Sequence, residues 1–568
     1  MYISLLKYFL FTLTTFSSLL FYAQEKASSF NLKHGESYSI PHTETIVSLN
    51  INNVILSVSF ENKKITLHSC DGLNLSLIKR NEYDNFPKKI TIEKLLQLEN
   101  HIYLFYSSFI DQIESLYVRE IELESCSFKE NAKVLFQLNK NVTSTLPLEN
   151  GGVNFSFISS FDKTKLIVQY QQQITKKENA TFGYKFLNGD LELLKEKEIE
   201  IPTLRNKIKH MDGVLDEENT MNLISFIYKN NKQSNKNVRG HINYDVQLIK
   251  IKIETGEIST QKVNIDSVYH INSLKFFQPN ESSIICAGYA SIIGLNNKFN
   301  KSSAAFKFDL LDTISKITYN LFPLALVNQN KSKSKASRNF SKQRRDGKYF
   351  NPSIPQLVPK MIHLTSDGGL LFVGEQKIPV GNGSSIGIGG GVGLAFAIAA
   401  TRSKNSHNYI DYKDIICIKY NKNDSIEWSR KISKSQGNPY LETFYGLKTY
   451  GSSFNFIEGL EHIYFLYLDN KKNLTLNINK APERQFTKEG GFLMISKMDP
   501  LSGEIEKIPV LNVGKLKHKK NAQFNSSSIN VVMKGHLVFE ITYNAKTLKE
   551  EVLGIFNDKA FLTRIKLK

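Results

Sequence analysis

The stretch VQLIKIKIETGEISTQKVNI, Val246 to Ile265, decides how the fold is read. Ile249, Ile251 and Ile253 fall on one side of an extended chain, and Lys250 and Lys252 on the other. Alternation with period two marks a strand with one face in a core. Thr255 and Gly256 turn the chain, and Ile258 begins a second alternating run. The stretch therefore reads as an antiparallel hairpin.

The same arrangement recurs along the chain. It appears at ITLHSCDGLNLSLIK (Ile65 to Lys79), LYVREIELESCSFKENAKVLF (Leu116 to Phe136) and FGYKFLNGDLELLKEKEIEI (Phe182 to Ile201). It returns at AAFKFDLLDTISKITY (Ala304 to Tyr319), DIICIKYNKNDSIEWSRKI (Asp414 to Ile432) and FLMISKMDPLSGEIEKIPV (Phe492 to Val510). Most of these hairpins follow a polar turn and a continuous apolar run, such as LENHIYLFYSS, SSIICAGYAS or LEHIYFLYLDN. Continuous runs suit strands buried on both faces. Even ITIEKLLQLENHIYLFYSS (Ile90 to Ser108), which opens with helix formers, reads as strands in this company.

The repeating unit thus has four strands, an inner buried pair and an outer alternating pair. Such units, repeated, predict an all-β chain folded as a β-propeller of four-stranded blades. Seven hairpins suggest seven blades, with six or eight allowed. A partial unit lies at Ile529 to Phe556, and N-terminal strands around Tyr38 to Ile51 would complete it and close the ring. The expected organisation is one propeller over residues 25–568, with two long insertions in the sixth repeat unit.

SDGGLLFVGEQ (Ser366 to Gln376) and DIICIKYNKNDSIEWSRKISKSQ (Asp414 to Gln436) carry a resemblance. They are similar to the DGG-apolar-apolar-G and apolar-x-Trp repeats of uncharacterised exported bacterial β-propeller-like proteins. The resemblance implies a fold and no activity. The recurrent tryptophans of quinoprotein dehydrogenase propellers are absent: Trp428 is the only tryptophan.

The opening residues, MYISLLKYFLFTLTTFSSLLFYAQEK, place Lys7 before an apolar run ending near Ala23. This order predicts a secretory signal peptide over residues 1–24, cut near Ala23 or Gln24, and hence a periplasmic or extracellular protein. The four cysteines, Cys70, Cys126, Cys286 and Cys417, lie in or beside strand-like runs and read as small buried thiols. A Cys70–Cys126 bridge remains open, since both residues lie beside turns.

The chain carries a formal net charge of +19. Most lysines alternate with apolar residues as on solvated strand faces. The exception is KSKSKASRNFSKQRRDGK, Lys331 to Lys348, where only Asp346 opposes the charge. This basic insertion, about 328–350, reads as a flexible, self-repelling linker. Its functional alternative is an anion-binding site of Lys331, Lys333, Lys335, Arg338, Lys342, Arg344 and Arg345. A second insertion, about 379–410, holds SSIGIGGGVGLAFAIAATRS (Ser384 to Ser403). Its glycines match neither nucleotide-binding pattern, and it is too short and glycine-rich to span a membrane. It reads as a loop, with contact to a membrane surface through Ile386 to Ala400 as the alternative.

No metal, nucleophile-elbow or cofactor motif is present, so no catalytic residue, metal or cofactor is expected. HMDG, His210 to Gly213, reads as a solvated turn. The sequence favours a binding or scaffold propeller for an envelope, glycan or protein partner, with no nucleic acid. The alternative is a carbohydrate-active hydrolase or lyase with carboxylates such as Asp212, Asp367 and Glu375 meeting at the propeller mouth.

Overall fold

The fold is seen in a computed structural model. It describes residues 32–567 except 41–44, 62–63, 88–89, 140–141, 148–152, 173–177, 231–241, 293–300, 311–316, 347–351, 381–408, 439–452, 460, 478, 487–490, 514–515, 517–519, 525–529, 534–535 and 545–557.

Eight antiparallel sheets follow one another along the chain as the blades of a β-propeller. Blade 1 consists of Thr45–Ile51, Val54–Glu61, Lys64–Asp71 and Ser76–Tyr83. Blade 2 has Thr91–Leu98, His101–Ile110 and Ile113–Glu122, edged by Ser127–Phe128 and Lys133–Leu138. Blade 3 has Ser156–Ser159, Lys165–Gln172, Asn179–Asn188 and Leu193–Leu204. Blade 4 has Ile208–Leu215, Thr220–Tyr228, Tyr244–Lys252 and Ile258–Val263. Blade 5 has Tyr269–Asn280, Ser283–Ile292, Ala304–Asp309 and Thr318–Leu321. Blade 6 has Leu357–Leu364, Leu370–Val380, Tyr409–Tyr420 and Ile426–Ile432. Blade 7 has Asn455–Glu458, Ile463–Asp469, Phe492–Met498 and Ile505–Asn512.

Blade 8 is built from both ends of the chain. Asn530–Met533 pairs with His536–Asn544, which pairs with Asp558–Lys566. Leu32–His34 supplies the outer edge, with Leu32 opposite Ile565 and His34 opposite Thr563. Tyr38–Ser39 pairs with the same strand. Closure by the N-terminal segment is as expected, but its bounds shift: Thr45–Ile51 belongs to blade 1. The seven hairpins visible in the sequence are the outer halves of blades 1 to 7. The eighth outer half is divided between the chain termini, so no eighth hairpin can be read.

The apolar interior is divided in the same way. Eight buried clusters lie between successive blades, from Leu56, Leu67, Leu104 and Cys126 between blades 1 and 2 round to Ile55, Cys70, Val538 and Leu562 between blades 8 and 1. In Thr220–Tyr228, Met221 and Leu223 face blade 3, whereas Ile224, Phe226 and Tyr228 face blade 5. Each fully buried side chain of this size is worth roughly 1.5–3 kcal/mol. All four cysteines are buried and unbridged. Cys70 and Cys126 lie in different clusters, on opposite faces of blade 1.

The outer rim adds a recurring hydrogen bond. A side chain near the edge of one blade donates to a backbone carbonyl in the outer turn of the next. Asn81 Nδ2 reaches Cys126 O at 3.0 Å, Lys133 Nζ reaches Leu191 O at 2.8 Å, and Lys197 Nζ reaches Thr255 O at 3.1 Å. Trp428 Nε1 reaches Leu501 O at 2.8 Å, and Arg564 Nη1 reaches Leu73 O at 2.6 Å. The Trp428 ring lies against Gly503, whose φ is +71°.

Gly503→Ala would combine left-handed backbone strain with a Cβ 2.7 Å from the indole. Gly368→Ala, at φ +77° with nothing within 4 Å, carries the strain alone. The expected losses are about 2–4 kcal/mol and about 1 kcal/mol. Thermal unfolding followed by the fluorescence of the single tryptophan checks their order.

Candidate functional site

In an up-and-down blade, successive connections alternate between two faces. On one face, within each hairpin, they are short turns such as 52–53, 99–100 and 421–425. On the other they include 229–243, 322–356, 381–408, 433–454 and 470–491. Long connections therefore share one face, concentrated around blades 5, 6 and 7. Both insertions found in the sequence leave from it. The basic one lies within 322–356, between blades 5 and 6. The glycine-rich one lies outside the described residues, as does Ile386 to Ala400, but its flanking strand ends Val380 and Tyr409 pair at this face.

The basic run is not a flexible linker. Lys333–Asp346 is an α-helix of 14 residues with no buried residue. The segment before it is pinned to the blade 6–7 junction: Gln329 Nε2 donates to Lys431 O at 3.1 Å, Lys431 Nζ donates to Gln329 O at 3.1 Å, and Ser433 Oγ donates to Asn330 Oδ1 at 2.6 Å. Asn339 Nδ2 ties the helix back to Asn328 Oδ1 at 2.6 Å. These tertiary bonds hold a helix that its charge repulsion disfavours. Of the expected binding residues, Lys333, Lys335, Arg338, Lys342, Arg344 and Arg345 lie on this helix and are exposed. Lys331 precedes it, half-buried. Burial, with Lys431, Lys301 and Lys335 nearby, pulls its ammonium down to about 8.

Beside this anchor lies a cleft of about 720 Å³ whose lining mixes cations, among them Arg430, Lys431 and Lys507, with the carboxylates of Asp499, Glu504 and Glu506. Blades 6 and 7 also hold a buried charge network. Lys434 and Glu375, both 0% exposed, form an ion pair at 2.7 Å. Ser453 Oγ donates to Glu375 Oε2 at 2.6 Å, and Lys360 Nζ stands 3.7 Å from the same oxygen. Lys434 also donates to Gln436 Oε1 at 2.7 Å. Burial draws its ammonium below the ordinary lysine range, against the pull of Glu375, Asp469 and Asp414. Burial likewise pushes Asp469 up to about 6.

A second polar group lies on blade 2. A bulge between Ile92 and Lys94 buries Glu93, which accepts from Ser107 Oγ at 2.7 Å, Val153 N at 2.6 Å and Asn154 N at 3.1 Å. Burial pushes Glu93 up to about 7, against these hydrogen bonds, and pushes its neighbour Glu114 up to about 7 as well. One oxygen of Glu114 has no hydrogen-bond partner among the described residues. The sequence did not mark this pair. Its only trace is a glutamate within the apolar run of Ile90 to Ser108.

HMDG is likewise not a solvated turn. It lies in the inner strand of blade 4, with a bulge between His210 and Asp212 that breaks the alternation. His210 is buried, bonds Ser225 Oγ through Nδ1 at 2.8 Å, and is pulled down to about 4 by burial. Asp212 accepts Phe276 N of blade 5 at 2.8 Å, and so joins two blades. Asp367 shapes the turn before Gly369 and pairs with Lys419, which with Thr365 holds it at about 2. Asp212, Asp367 and Glu375 thus each hold separate local partners, and the fold does not bring them together. Among the described residues, no group of three or more His, Cys, Asp or Glu side chains is placed to hold a metal.

No family model and no curated protein matches the chain. Solved structures similar to it include an uncharacterized protein of Listeria monocytogenes, at 8% identity and TM-score 0.33, covering 79% of this chain and 91% of that one. The apocarotenoid oxygenase of Synechocystis has 10% identity and TM-score 0.34, covering 68% and 71%. A prolyl oligopeptidase from Galerina marginata has 8% identity and TM-score 0.36, covering 90% of this chain and 55% of that one. At such values these likenesses carry no argument about activity. The propeller is read from the strand pairing itself.

Lys434→Met would leave Glu375 buried with Ser453 and the more distant Lys360 but without its closest cation, and is expected to cost about 3 kcal/mol. The double variant Glu375→Leu/Lys434→Met is expected to cost less than the sum of the single changes, which thermal unfolding of the three proteins measures. For Glu93, the folded protein holds the proton more tightly than the unfolded chain does. Its contribution to stability is complete below the ordinary value of 4.5 and is lost as pH rises through about 7. Glu93→Gln is therefore expected to flatten the decline in thermal midpoint between about pH 5 and pH 8.

Proposed function

We propose that this chain is an exported binding propeller, whose loop-bearing face receives a protein, glycan or envelope partner. The observation that carries the reading is the concentration of long connections and exposed helix cations on one face, around blades 5 to 7. The opposite face offers short turns. Short turns meet the needs of a propeller's own stability, whereas long loops on a rigid scaffold are where proteins place recognition. Asp212, Asp367 and Glu375, the carboxylates the sequence offered to a hydrolase, are engaged in holding strands, turns and blades. That supports binding over hydrolysis.

The export half of the reading predicts a mature N-terminus near Ala23 or Gln24, measured by intact mass of the protein recovered outside the cytoplasm. The binding half is tested with photo-crosslinking side chains at Ser341, beside the loop-bearing face, and at Ser502, on a turn of the opposite face. Crosslinks to one defined envelope component from Ser341 and none from Ser502 are expected. Equal crosslinking from both, or none from either, would overturn it.

A further inference from the structure

The helix Lys333–Asp346 arranges its cations with a regularity the sequence does not display. At 3.6 residues per turn, Lys335, Arg338, Lys342 and Arg345 fall within one narrow stripe, at steps of three, four and three. The stripe runs about 15 Å along the axis. Lys333 and Arg344 project from a different side of the helix. Lys335, Arg338, Lys342 and Arg345 are all exposed, and the half-buried Asn339 and Asp346 border the stripe on one side.

Among the described residues, Arg345 is the helix cation with a salt bridge to a carboxylate, that of Asp346 at 2.7 Å. Lys335, Arg338 and Lys342 form no salt bridge among the described residues, although Asp346 also attracts Lys342. Arg338 and Lys342 are four apart, a spacing at which like charges destabilise a helix. Ser334, Ser337, Asn339 and Ser341 add little intrinsic helix propensity. A helix that violates local rules and is held by tertiary anchors points to a purpose outside the fold. Beyond its N-terminal end Lys301, Lys331 and Lys431 crowd together, but Asp414 pairs with Lys431 there, so the exposed positive track is that of the helix.

We propose that this stripe is the docking track for a linear acidic polysaccharide, a polymer carrying carboxylate or sulfate groups at intervals along its chain. The inference rests on the binding reading above and names the partner. A row of cations suits a polymer with spaced charges rather than a single compact anion. A lipid surface fits less well, because an interfacial helix needs an apolar face to bury. The one large apolar residue here, Phe340, projects from the side opposite the stripe. A single-stranded nucleic acid would call for aromatic side chains among the cations, and the stripe holds none.

The test compares two charge-matched variants of the mature protein. Arg338→Gln/Lys342→Gln removes two cations from the stripe, and Lys333→Gln/Arg344→Gln removes two from outside it. Both sites are exposed, and glutamine keeps the helix propensity; circular dichroism confirms that each variant is folded. Titration with polygalacturonate at fixed salt is expected to show about a tenfold loss of affinity for the stripe variant, as two charge-assisted contacts together imply. The control variant should stay within about twofold. Equal losses would mean attraction by net charge alone and overturn the inference, as would no binding by the unaltered protein. Binding to phosphatidylglycerol vesicles or single-stranded DNA that is tighter than to polygalacturonate, with the same stripe dependence, would overturn it in favour of that partner. If the stripe variant still crosslinks from Ser341 to its envelope component, the binding reading stands and the polysaccharide assignment alone falls.

Discussion

The packing of apolar side chains between neighbouring blades is the constraint on which the rest of this structure depends. A four-stranded sheet apolar on both faces cannot be stable alone, because each face must be covered. Here each blade lends one face to its predecessor and one to its successor, and the eight buried clusters alternate with the eight sheets around the ring. An open row would leave two apolar faces in water. Closure through Leu32–His34 removes them, and the final core between blades 8 and 1 gathers Tyr38, Ile55 and Leu562 from sequence-distant strands.

The rim bonds refine this packing. A side chain of one blade reaching a turn carbonyl of the next fixes the relative tilt of the two sheets without demanding a particular residue. Asparagine, lysine, tryptophan and arginine all fill the role. Only the donor is constrained, since the acceptor is backbone. This tolerance lets repeats diverge until no residue motif survives while the geometry persists.

A scaffold secured in this way frees one face. Connections on the loop-bearing side can lengthen without disturbing a core. The blade 6–7 junction shows the cost of doing so: where long segments enter, the carboxylates of Glu375, Asp414 and Asp469 are buried against the ammonium groups of Lys434, Lys431 and Lys507. Lys431, which exchanges hydrogen bonds with Gln329 ahead of the helix, also pairs with Asp414 of this network.

Much of this was legible in the chain itself. Val246 to Ile265 announces its hairpin because strand periodicity is local, and so do the other six outer hairpins. The buried thiols and the turn role of Asp367 follow from neighbouring residues alone. Three features were not legible, each for a non-local reason. The eighth outer pair is split between the termini. The bulges at Glu93 and His210 take residues out of alternation, so a buried glutamate looked unremarkable and HMDG looked like a turn. The run Lys331 to Lys348 reads as a repelling linker, because the bonds from Gln329, Asn330 and Asn339 that hold it as a helix come from contacts made only in the folded ring. The sequence by itself determined an all-β repeat, its approximate unit and its excess of positive charge, since these are set by alternation and composition. Only the tertiary structure decided the eight-blade closure, which carboxylates share a partner and which four cations form a line, since these depend on residues far apart in the chain being held in register.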